Sequence, residues 1–115
     1  MRKQMIEQSA MDVAVQVRAV EDTIEAALME MAELQGRMLK ARSVAGVGVA
    51  VGHEALAQVA ASLSALVQAR GEMAAAHATL VEAKQQVPGL RTVAFGDGQE
   101  CPETKTAHGG LRVVA

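Results

Sequence analysis

From Arg2 to Arg42 the apolar residues Ile6, Ala10, Val13, Val17, Val20, Ile24, Ala27, Met31, Leu34, Met38 and Ala41 recur in steps of four and three without a break. The stretch holds no proline and one glycine, Gly36. A seam with this spacing is the signature of a long helix with left-handed coiled-coil periodicity. Arg37, Lys40 and Arg42 crowd its final turns, where cations complement the helix dipole. The pattern predicts a helix over about residues 4–43. Such a helix is on the order of 55–60 Å long, which exceeds the width of a compact domain of this mass.

The segment Ala45-Gly-Val-Gly-Val-Ala-Val-Gly52 interrupts the seam and predicts a bend. A second helix is expected over 53–86, ending before Val87-Pro88-Gly89. Its seam reads Leu56, Val59, Leu63, Leu66, Arg70, Met73, His77, Leu80 and Lys84. Folding the chain between Gly48 and Val49 sets Leu56 opposite Ala41, Val59 opposite Met38, Leu63 opposite Leu34 and Leu66 opposite Met31. The same register pairs Met73 with Ile24 and Leu80 with Val17. Only about one register in seven aligns two heptad patterns in this way. The expected fold class is therefore all-α, a long antiparallel helical hairpin over residues 1–87.

Composition explains why such a hairpin is expected to need a partner. Half of the chain is hydrophobic, yet the aromatic share is 1%, with Phe95 alone and neither Trp nor Tyr. Ala, Val, Leu and Met make thin helix faces and lack the bulk that fills a thick core. Further apolar residues lie outside the seams: Met11, Val15, Leu28, Met29 and Leu39 on the first helix, and Ala60, Val67, Ala74, Ala78 and Val81 on the second. A lone hairpin leaves these wet, and each large aliphatic side chain forfeits roughly 1.5–3 kcal/mol of burial. Pairing two hairpins into a four-helix bundle recovers much of that. A homo-oligomer, a dimer of hairpins, is the expectation. Its interface residues are Val13, Val17, Val20, Ile24, Met31, Leu34, Met38, Leu56, Leu63, Leu66, Val67, Met73 and Leu80.

Residues 88–115 read as a separate C-terminal tail, rich in glycine and polar turn residues. Two segments there, Gly89-Leu-Arg-Thr-Val-Ala94 and Gly110-Leu-Arg-Val-Val-Ala115, differ only at Thr92 against Val113. They are either short strands or a chance repeat in an irregular tail, and the irregular tail is favoured. Leu90, Val93 and Phe95 are the nearest candidates to cover Met5, Ile6 and Ala10, which overhang the second helix.

Polar candidates are few. Asp97, Glu100, Cys101 and His108 mix metal-ligand types without the paired spacing of a zinc site. Cys101 has no neighbouring base or basic cluster to activate it. Glu21, Asp22, Glu25, Glu30 and Glu33 invite comparison with di-metal carboxylate bundles, but no Glu-x-x-His occurs and none lies on the seam. They read as a solvated face. Arg70 and His77 do lie on the seam. They either specify register or partner, with His77 as a pH-sensitive contact, or the buried face drifts to Val67, Ala74, Ala78 and Val81 and leaves both at the rim. The drifted face is the expectation. Gly36 and Gly71 mark either close helix approach or a tolerated weakness.

Charge and motif content narrow the function classes. Eleven basic and thirteen acidic residues are well mixed, with no basic stripe for a phosphate backbone, so nucleic acid is not an expected partner. No catalytic residue set, cofactor motif or metal site is found, and a non-enzymatic role is expected. The single cysteine and the absence of a recognisable secretory signal or an apolar run of roughly 20 residues favour a cytoplasmic location and make a membrane partner unlikely. The expected function is that of an interaction protein, an adaptor, chaperone-like binder or assembly factor acting as a homo-oligomer with a possible protein partner. The alternative is an amphipathic coat on lipid or hydrophobic granule surfaces.

Overall fold

A computed structural model describes residues 1–90. They form two helices, α1 over Arg2–Ala45 and α2 over His53–Lys84. The expected helices are thus present, with α1 two residues longer at each end and α2 ending two residues sooner. Among the described residues there is no strand. Of the strand expected over 89–94 only Gly89 and Leu90 are described, and they lie in a turn. The rest of it, the strand expected over 110–115, and Val93, Phe95, Asp97, Glu100, Cys101 and His108 lie outside the described residues.

The glycines punctuate the chain as their chemistry requires. Gly46 ends α1 in the left-handed region, at φ 69°, which a side chain bearing Cβ adopts only at a cost. Its N–H is shared between the Arg42 and Ser43 carbonyls, each at 3.1 Å, capping the helix end. The Arg42 guanidinium also donates to the Val47 carbonyl at 2.9 Å, tying the loop back onto the last turn. Two further turns follow, Val51 N–H to the Gly48 carbonyl and His53 N–H to the Ala50 carbonyl. The first α2 bond then runs from Leu56 N–H to the Gly52 carbonyl. Glu54 in the first turn and Lys84 in the last sit at the favourable dipole ends.

Beyond Lys84 the helix tightens into turns, with Gln85, Gln86 and Val87 N–H groups each bonded three residues back. Val87-Pro88-Gly89-Leu90 then forms a β-turn, closed by Leu90 N–H to the Val87 carbonyl at 3.1 Å. Proline at its second position and Gly89 at φ 91° in its third are the type II arrangement.

The chain divides into two compact units. One runs from Gln16 to Met73 and is a helical hairpin: the later part of α1, the loop and the first part of α2. Its seam is half-buried at Val17, Val20, Ile24, Met31 and Met38 on α1 and at Leu56, Val59, Leu63 and Leu66 on α2. No residue in this unit is buried. Among the described residues the other unit joins Met1–Val15 to residues 74–90. It holds the only two buried residues described, His77 and Leu90, each 5% exposed. A Cβ on Gly89 would lie 3.9 Å from Lys3 Cγ, so the turn rests on the stem of Lys3.

Candidate interaction surface

Burial departs from the expected seam at definite positions. Leu34 is 44% exposed, and Val13 and Leu80 are similarly open, whereas Ala14, Gln35 and Val81, their next neighbours, are half-buried. Ala41 is likewise exposed while Arg42 is half-buried. The half-buried positions of α1 include Ala10, Ala14, Val17, Glu21, Ile24, Leu28, Met31, Gln35, Met38 and Arg42, which keep the alternating steps of four and three. The helix therefore retains the heptad line through Ala10, Val17, Ile24, Met31 and Met38 and turns inward the flank one residue after the expected one. Of the thirteen expected interface residues, nine are half-buried within the chain and four, Val13, Leu34, Val67 and Leu80, are exposed. Met11, Val15, Met29 and Leu39, expected outside the seam, are exposed as well.

The two polar seam residues part company. Arg70 is at the rim as expected, although of the expected drifted face only Ala74, Ala78 and Val81 are half-buried and Val67 is exposed. The Arg70 Nε donates to Glu25 Oε1 at 2.5 Å, with both side chains at least half exposed. The folded register places Glu25 near Arg70, and this bond joins α1 to α2 within the Gln16–Met73 hairpin. An exposed pair of this kind contributes about 0–1 kcal/mol.

His77 is not at the rim, which corrects the expectation for that residue. The half-buried line of α2 runs through Leu66, Ala69, Met73, His77, Val81 and Lys84. It keeps the expected seam at Leu66, Met73, His77 and Lys84 and departs from it at two positions, with Ala69 in place of Arg70 and Val81 in place of Leu80. His77 has an interaction partner, and no buried side-chain nitrogen or oxygen among the described residues lacks a hydrogen-bond partner. A satisfied buried histidine specifies alignment, because shifting it strands a polar group in an apolar face.

Asp22, Glu25, Glu30 and Glu33 are exposed, Glu33 pairing with Arg37 one turn away at 2.9 Å. Glu21 is half-buried and engaged in an interaction of its own. Among the described residues no three His, Cys, Asp or Glu side chains converge to hold a metal ion. Gly36 and Gly71 have open space where a Cβ would sit, so within the chain neither marks a close helix approach.

One feature escapes the helix-period reading. The loop is more than a bend: Val49 is 72% and Val51 59% exposed, and Val44 and Val47 add to the same apolar tip. Beneath them is an open cleft of about 380 Å³ lined by Met38, Leu39, Leu56 and the loop valines, with Arg42 and His53 as its polar side chains. The signal was present in the sequence as valines alternating with glycine where turns ordinarily carry polar residues. No family model, curated protein or solved structure matches the chain.

Proposed function

We propose that this chain is a non-enzymatic interaction protein of the cytoplasm whose working unit is a dimer of hairpins packed as a four-helix bundle. The observation that carries the reading is the Gln16–Met73 hairpin without a buried residue, although it contains Leu28, Met31, Leu34, Met38, Leu63 and Leu66. Folding must offset roughly 1–2 kcal/mol of backbone entropy per residue, which half-buried seams supply poorly. A second copy covers Leu34 and Val67 and completes the burial of the seam residues. Val13 and Leu80, outside that hairpin, belong to the same apolar surplus. Methionines at Met5, Met11, Met29, Met31 and Met38 give the assembly adaptable contacts for a further protein partner.

Light scattering across the micromolar range tests the assembly. The expected molar mass is twice the chain mass of 12.0 kDa. A mass equal to one chain throughout that range overturns the reading. The partner arm is tested by capture from the native cells with wild-type protein and a Met29→Glu variant. Selective loss of one stoichiometric protein is expected, and identical recovery with both contradicts a helix-face binding role.

A further inference from the structure

We propose that the loop between the helices is a lipid-contacting tip that inserts its valines into the headgroup boundary of an anionic membrane. Three observations within the hairpin converge on this. The first is apolar exposure at the wrong kind of place. A loop that reverses a helical hairpin is ordinarily polar, yet Val49 and Val51 are exposed at 72% and 59%, with Val44 in the last turn of α1 beside them at 78%. Contiguous apolar surface of this kind marks an interaction site.

The second is charge. The chain as a whole carries a net −2, but next to the loop Lys40 and Arg42 stand against the single acid Glu54, while Arg37 is paired with Glu33 one turn back. Arg42 lies in the last turn of α1, Lys40 just before it, and His53 flanks the loop on the other side. Both Lys40 and His53 are exposed. A basic collar behind an apolar tip is complementary to anionic headgroups over an acyl layer, and each such cation near the surface strengthens attraction. The third is the way the tip is held. The Arg42 guanidinium bonds the Val47 carbonyl, and the Gly46 cap and the Gly48–Val51 turn fix the backbone, so the valines are presented without waiting for lipid to order them. Among the described residues no helix is long and apolar enough to cross a membrane, so the contact is peripheral. It differs from a coat in which helix faces lie flat, because the exposed Met29 on the helix face of the hairpin stays out of the lipid.

The test uses the full chain with phosphatidylcholine vesicles, with and without phosphatidylglycerol. Cosedimentation is expected with the anionic vesicles, about tenfold stronger than with neutral ones and falling with added salt. The paired substitution Val49→Asp and Val51→Asp, and separately Lys40→Glu, should each weaken it about tenfold or more while circular dichroism stays unchanged. The chain has no tryptophan, which makes a single Val49→Trp a clean reporter, with Met29→Trp as its counterpart on the helix face. A blue shift on anionic vesicles for the loop probe alone is the expected result. Equal partitioning to both vesicle types, no partitioning, or a shift for the Met29 probe overturns the proposal. So does a loss of molar mass in the Val49, Val51 variant without lipid, which assigns the tip to contact with a second copy.

Discussion

At the scale of single residues, His77 and Arg70 carry the sharpest contrast. Both interrupt the apolar seam in sequence, and solvent separates them: the imidazole is buried and engaged, the guanidinium is exposed on Glu25. Removing a buried, hydrogen-bonded group strands its partner and leaves a void, whereas removing an exposed ion pair frees two side chains into water. His77→Ala is therefore expected to cost on the order of 1–3 kcal/mol in urea unfolding. Arg70→Ala should cost less than about 1 kcal/mol. Equal losses contradict the assignment of His77 as the alignment residue. Leu90 is the other buried position, and Leu90→Ala is expected to cost about 2–3 kcal/mol, with faster amide exchange in residues 2–15 as the accompanying sign. Exchange unchanged in that segment contradicts the packing of the Pro88-Gly89 turn onto the start of the chain.

At the scale of elements, both helices were legible because their signals are local and redundant. The four-and-three spacing, the glycines and Pro88 each marked the same boundaries, and α1 and α2 end within two residues of them. What was not legible was which flank of each seam turns inward. Leu34 against Gln35, and Leu80 against Val81, are decided by how each helix is turned toward its neighbour, a property of packing that spacing alone does not reveal. His77 was misplaced for the same reason, since its burial is set only once both helices are in place. The glycines make opposite predictions according to backbone. Gly36 and Gly71 are helical with open space around them, so Gly36→Ala or Gly71→Ala should raise stability by about 0.5–1 kcal/mol. Gly46→Ala, forced to a positive φ, should lower it by about 1–2 kcal/mol. A loss of stability in Gly36→Ala would instead reveal that a second copy approaches that backbone closely.

At the scale of the whole molecule, the central claim is that this chain does not complete its core alone. Among its described residues only one apolar side chain, Leu90, is buried, while Val13, Leu34, Val67 and Leu80 remain exposed. If assembly supplies the missing burial, unfolding is coupled to dissociation and the melting temperature rises with protein concentration. Leu34→Glu combined with Val67→Glu should then lower molar mass and helicity together, as measured by light scattering and circular dichroism on the same samples. The decisive measurement is the molar mass of the unmodified chain by light scattering at micromolar concentration. The account predicts twice 12.0 kDa; a single-chain mass accompanied by full helicity would contradict it.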